Sequence, residues 1–381
     1  MKVAVICDVL GQANNGTTIA ALNLIRTLRE KGHEVRVVCP DAERAGEPGY
    51  YIVPKYDFHV FNDYVEKNGV APAKLDTEVL ESAIHDVDVI HVMIPFALGK
   101  AAAHYAHDHH IALTAGFHCQ AENITNHIFL QNSPHANTTV YRILYERLYQ
   151  FCDRIHYPTQ FIRDTFESVV GATPGRVISN GVSAEFHPIP VDRPPELAKK
   201  YIVLFTGRYS REKSHRVLLD AVAQSRNRDH IQLIFAGAGP QEAHLRQHAE
   251  KLGIAMPIMQ FYSRQELLHT INMADLYVHP AEIEIEAISC LEAIACGKVP
   301  LIADSPRSAT RYFALTEKNL FHYNDPANLA EKMDWWLEHP QERQQCSKDY
   351  LGYARQFDFD VCMRAMEQLL LEAAEEKCHG S

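Results

Sequence analysis

Short apolar runs of β-type residues alternate along this chain with amphipathic stretches of helical length. The alternation pauses near residue 187 and starts again near residue 200. Residues 3–6, 35–39, 87–93 and 112–117 read as strands, being too short for helices and largely apolar. Strands apolar on both faces belong to parallel sheets covered by helices on each side. Residues 17–31 read as such a helix, with Ile19, Leu22, Ile25 and Leu28 near helical spacing and Gly32 as its stop. Beyond the Pro-rich, charged stretch HPIPVDRPPELAKK the order repeats. Strands are expected at 202–205, 232–236, 276–279 and 299–303, and helices at 217–224 and 241–252 with another ending near Cys296-Gly297. The pattern predicts an α/β chain of two Rossmann-like domains. The N-terminal domain takes residues 1–186 and the C-terminal domain 187–350. Residues 351–376 read as a last helix, and the segment 351–381 is expected to pack back on the first domain.

Composition narrows the function. A formal net charge of −11 argues against a dedicated nucleic-acid binder, which needs a basic surface. No apolar run approaches the roughly 18 residues that span a bilayer. The first run is broken at Asp8 and reads as a strand, not a leader. The nine cysteines form no Cys-x-x-Cys pair and sit in apolar segments, as core thiols of a reducing, cytoplasmic environment do.

Three segments carry candidate chemistry. Residues 11–18, with Gly16, join the first strand to the first helix, where helix amides and dipole favour an anion. Taken alone, that stretch is better explained as an ordinary turn, since such turns are common. Residues 207–213 follow the strand at 202–205, and Arg208 and Lys213 there have the charge to neutralise a diphosphate. A solvated charged loop is the plain alternative. Residues 280–297 set Glu282, Glu284, Glu286 and Glu292 in an apolar context. A desolvated carboxylate needs a partner, either sugar hydroxyls or a basic side chain.

With these residues in view, the chain resembles the family 4 retaining glycosyltransferases of GT-B fold, in which two Rossmann-like domains face each other across a cleft. The resemblance spans nearly the whole length, through NNGTT, LREKGHEV, Phe117-His118, VISNGVSAEFHP, FTGRYSREKSHRVLLDA, LIFAGAGP and MADLYVHPAEIEIEAISCLEAIACGKVPLIA. The family's Glu-x7-Glu motif falls on Glu284 and Glu292. By resemblance, Arg208 and Lys213 hold the donor diphosphate, Glu284 meets the transferred sugar or its phosphate side, and Glu292 meets the nucleotide ribose. Gly16 lies near the diphosphate, His118 near the reacting sugar and acceptor, and Asp275 and Gly239 are structural. The chain departs from the family in two places. The usual Glu-Gly-Phe-Gly is Glu284-Ile285-Glu286-Ala287 here, which leaves Glu282, Glu284 and Glu286 as rivals for the first position. Ser214 stands where the family often has Gly.

The resemblance implies transfer of a hexose from a nucleotide sugar, with UDP as the expected carrier, to a sugar or lipid hydroxyl in glycolipid or cell-envelope glycan synthesis. No cofactor or metal is expected. His104, His107, His109 and His110 lack a carboxylate-rich partner set, and no Asp-x-Asp motif is present. Tyr141, Tyr145, Leu148 and Tyr149 follow helical spacing and read as core, although the apolar segment 124–151 also admits peripheral contact with a membrane. An epimerase of similar fold and a nucleotide-sugar binder without turnover are the competing readings.

Overall fold

The computed structural model describes residues 1–10, 16–57, 72–126 and 130–379. It divides into two compact units, Met1–Asn180 with Asp360–Ser381, and Gly181–Phe359. In the first, β1 (Lys2–Ile6), β2 (Glu34–Cys39), β3 (Tyr50–Ile52), β4 (Val89–Val92), β5 (Ala112–Gly116), β6 (Arg154–Tyr157) and β7 (Gly175–Val177) form one sheet. Its order is β3-β2-β1-β4-β5-β6-β7, parallel throughout. The second holds β8 (Tyr201–Thr206), β9 (Ile231–Ala236), β10 (Ile258–Gln260), β11 (Leu276–His279), β12 (Pro300–Ala303) and β13 (Leu320–Phe321). Their order is β10-β9-β8-β11-β12-β13, again parallel. Both are Rossmann-like, and each reverses its strand order once, between β1 and β4 and between β8 and β11. Ligands of such sheets bind at the carboxyl ends of the strands at that reversal.

The central strands are buried along almost their whole length: β4, β5, β11 and β12 expose no residue. Phe117, just after β5, is fully buried against Tyr149, Tyr157 and Phe166, with ring centroids 4.9, 5.4 and 4.6 Å away. Tyr141 and Tyr149 are buried in the same cluster, so these two aromatics of the helical stripe are core. Seven of the nine cysteines are buried.

The division between units falls after Asn180, not after residue 186, because Val182 and Phe186 lie in the second unit's core. The Pro-rich stretch is strapped to that unit and is not a free linker. Ile189 N–H donates to Asn272 Oδ1 (3.0 Å), and Arg193 donates to the Met273 carbonyl (2.8 Å) and pairs with Asp275 (2.9 Å). Proline richness predicts irregular backbone; it says nothing about what that backbone binds. The helix expected over 351–376 is also two helices, Pro340–Ala354 and Phe359–His379. They part where Val182 N–H donates to the Phe357 carbonyl and Phe359 N–H to the Val182 carbonyl. The last helix joins the first unit. It buries Met363, Met366, Leu369 and Leu370, and its Glu372 and Lys377 pair with Arg176 (2.6 Å) and Asp153 (2.9 Å).

Candidate active site

At the reversal in the second unit, two loops leave neighbouring strands, 207–214 after β8 and 280–287 after β11. The first is pressed against the Gly237–Gly239 turn. A methyl group on Gly237 would overlap the Gly207 carbonyl, and one on Gly239 would come within 2.7 Å of the Tyr209 backbone, which explains both glycines of the LIFAGAGP stretch. The loop ends in a short turn, Arg211–Lys213, then Ser214 in left-handed backbone (φ 51°). Arg208 reaches Glu212 at 3.5 Å and is about a quarter exposed.

The second loop is held by residues 305–309. Ser305 Oγ donates to the Glu282 carbonyl (2.6 Å), Glu284 N–H to the Arg307 carbonyl (3.3 Å), and Ala309 N–H to the Glu284 carbonyl (2.9 Å). This sets Glu284 apart from its two rivals. Glu282 pairs with Arg307, Glu286 is buried, and of the three only Glu284 pairs with Lys213. Oε1 of Glu284 accepts from Lys213 Nζ and from His279 Nε2 (3.1 Å). Oε2 has no hydrogen bond to a described residue. Burial raises the pKa of this carboxyl, but the Lys213 charge and the His279 hydrogen bond outweigh it and bring it down to about 2.

Ala287 stands where the family has its second glycine, and its backbone is left-handed (φ 62°). Such backbone favours glycine and costs an L-residue about 1–2 kcal/mol. Ala287 precedes the helix Ile288–Ala295, whose first turn holds no acidic residue and whose capping position carries only a methyl group. The side chain of Glu292, on that helix, makes no hydrogen bond or ion pair with a described residue. Burial pushes it up to about 7, opposed by the charge of Arg264.

In the first unit, the ring of His118 folds back over Gly116, where any Cβ would lie 2.5 Å from its Nε2. His91 and His156 flank it from β4 and β6; the His118 and His156 ring centroids are 5.5 Å apart. Burial and these two imidazoles hold His118 well below its ordinary pKa. Gly16 opens the helix Gly16–Glu30, and no described residue comes within 4 Å of the position of a Cβ there. The preceding residues 11–15 lie outside the described residues. Asp275 accepts from Ile202 N–H (2.8 Å) and ties the loop before β11 to β8. His104 and His107 pack on the ring of Phe151, and among the described residues no group of three His, Cys, Asp or Glu could hold a metal ion.

Sequence reasoning missed His279 and the 305–309 loop. A polar residue ending a buried strand was a usable signal for the first. The loop carried none, because its partners are more than 20 residues away.

Residues 14–186 match the family model described as Glycosyltransferase Family 4, and residues 191–350 that of Glycosyl transferases group 1. A GDP-mannose-dependent alpha-mannosyltransferase of Corynebacterium glutamicum is 27% identical, over 92% of this chain and 84% of that protein. An alpha-monoglucosyldiacylglycerol synthase of Streptococcus pneumoniae is 23% identical, over 80% of this chain and 71% of that one. Among solved structures, Anabaena Alr3699/HepE in complex with UDP-glucose aligns with a TM-score of 0.77 over 98% of this chain and 100% of that one, at 17% identity. That likeness establishes the fold.

Proposed function

Because this chain belongs to the family 4 glycosyltransferases, we propose that the strand-order reversal of its second unit binds a nucleoside diphosphate sugar. The hexose then passes to a hydroxyl acceptor with retention of anomeric configuration. One observation carries the reading: Glu284 is anchored through Oε1 to Lys213 and His279 and keeps Oε2 for a ligand, while Glu292, on the next helix, pairs with no described residue. A carboxylate held ionised and half free is suited to sugar hydroxyls. A half-buried one without a protein partner gains most from the two hydroxyls of a ribose.

Bond breaking leaves negative charge on the departing diphosphate. Lys213 has three donor hydrogens, so it can keep Glu284 and still meet a phosphate oxygen. Arg208 and the amides that open Ile288–Ala295 add to it without a metal ion. The acceptor oxygen attacks from the face the phosphate leaves, and that phosphate takes its proton. His118, neutral through burial, positions sugar or acceptor by hydrogen bonding.

The resemblance favours a uridine carrier, while the Corynebacterium relative's name brings in GDP-mannose. The pneumococcal relative's name supports a glycolipid acceptor. Exposed Leu130 and Ile143, on the apolar segment 124–151, support peripheral contact with lipid. No described helix is long and apolar enough to cross a membrane.

The test is a thermal-shift series with UDP, GDP, UDP-glucose and GDP-mannose, with and without EDTA. A ligand of the native state at 100 times its Kd adds about 2.7 kcal/mol of stability. We expect a shift with one base, insensitive to EDTA. No shift with any of the four removes the donor site. Binding without transfer to any acceptor would favour the binder without turnover, and isomerisation of the bound sugar the epimerase.

A further inference from the structure

His279 is the last residue of β11, fully buried, and neither the motif nor the resemblance gives it a task. Its two nitrogens face two different partners: Nε2 lies 3.1 Å from Glu284 Oε1 and Nδ1 lies 3.2 Å from the Tyr277 hydroxyl. An ionised carboxylate can only accept, so Nε2 carries the hydrogen and donates. A neutral imidazole then has a bare Nδ1, which accepts the Tyr277 O–H. The phenol oxygen in turn lies 3.0 Å from Thr206 Oγ1, the last residue of β8, and 3.5 Å from Ser289 Oγ. The hydrogen bonds thus run from the end of β8 through Tyr277 and His279 to Glu284 and end on Lys213. They join both strands at the reversal to the carboxylate that the loop presents.

We propose that His279 is a positioning residue: held in one tautomer by Tyr277, it pins Oε1 of Glu284 so that Oε2 is aimed at the transferred sugar. The proposal rests on the donor-site reading above. Lys213 alone could not fix this orientation. It is a flexible cation that also serves the diphosphate when donor binds, so the rigid ring is what fixes the angle of the carboxylate. The groups around the imidazole are Tyr277 on its own strand, Glu284 on the loop, Lys213 on the turn, His215 at the start of the next helix, and the Phe205 ring on β8, 5.4 Å away. Of these, Glu284 is the one whose titration the ring controls directly.

The experiment measures release of UDP from UDP-glucose and of GDP from GDP-mannose by the full chain, against pH, for four proteins: unaltered, His279→Leu, His279→Gln and Glu284→Gln. Leu removes the donor, and Gln offers an N–H near the place of Nε2. We expect kcat to fall roughly 10- to 100-fold in His279→Leu, the scale of a hydrogen bond to a charged group. At saturating donor, where the titration of Glu292 no longer limits binding, the acid limb of its kcat profile should move up by about one pH unit. UDP or GDP affinity should stay within about twofold. His279→Gln should recover most of kcat and return the acid limb. A purely structural histidine would lower kcat with no movement of that limb. Unchanged kcat and acid limb in His279→Leu, beside a crippled Glu284→Gln, overturn the proposal and leave the donor site standing. A fully active Glu284→Gln sinks the donor-site reading itself. If His279→Leu does not fold, or neither nucleotide sugar is turned over, ring nitrogen shifts of His279 in the unaltered protein decide: Nε2 protonated and Nδ1 bare supports the relay, and the other tautomer ends it.

Discussion

The two units share one strand order, yet at their reversals the helix after the inner strand is capped differently. After β4, the helix Ala97–Asp108 begins with the N–H groups of Leu98 and Gly99 both donating to Asp8 (2.9 Å each), a buried carboxylate at the end of β1. The protein's own anion closes that helix. After β11, the corresponding helix Ile288–Ala295 follows Ala287, whose side chain makes no capping hydrogen bond, and the loop before it presents Glu284, paired with Lys213. The lesson is that topology offers two equivalent anion sites, and the side chain at the end of the first strand decides which stays open. Burial raises Asp8 to about 6, whereas Glu284, beside a cation, is brought down to about 2. One unit uses a carboxylate as an internal ligand and the other presents one.

The largest test of this contrast is Lys213→Ala. It should lower kcat/KM on the order of 10²–10³-fold and weaken nucleoside diphosphate binding. Because Glu284 then keeps only His279, it should also cost about 1–3 kcal/mol of stability at neutral pH, read by denaturant unfolding. Unchanged UDP and GDP affinity would move the anion site elsewhere.

Glu292→Gln should weaken binding of whichever nucleotide shifts the protein by roughly tenfold. Ribose hydroxyls donate best to the ionised carboxyl, and the free group titrates near 7. Affinity of the unaltered protein should therefore rise from pH 6 to 8, and calorimetry on the variant should find that rise gone. The same slope in both would detach Glu292 from the ribose.

Asp8→Ala should cost about 1–3 kcal/mol by orphaning two buried amides, with nucleotide affinity untouched. Its folded pKa lies above its ordinary value, so the proton-linked contribution of this group is complete below about 3.8 and is lost as pH rises through about 6. Unfolding curves at pH 4 and 7.5 should therefore find the larger cost of the mutation at pH 4. A loss of nucleotide affinity in this variant would break the division of labour between the units.

The smallest effect is expected from Ala287→Gly and Ser214→Gly, which restore the family residue at two left-handed positions. Relief of strain and greater freedom of the unfolded chain oppose each other, leaving a gain of at most about 1 kcal/mol. Activity should be kept. A marked loss would mean that the Ala287 methyl or the Ser214 side chain itself serves the site.

Much of the fold was legible because it rests on local pattern. Buried parallel strands are apolar throughout, and this placed β8, β9, β11 and β12 to within a residue or two. The errors came where contacts are distant. The Pro-rich stretch has anchors some 80 residues away, and the last helix breaks where Val182 pairs with the segment 357–359.

By itself the sequence determined two doubly wound α/β units and a set of charged residues at the strand ends, because hydrophobic periodicity is carried by neighbours along the chain. Only the tertiary structure decided which of three glutamates meets Lys213, 71 residues away, and that His279 stands behind it. It also decided that Ala287 and Ser214 adopt left-handed backbone, which favours glycine. The reason is physical: a carboxylate's partner and charge are set by whatever the fold brings within about 3 Å of it, and no period in the sequence encodes that distance.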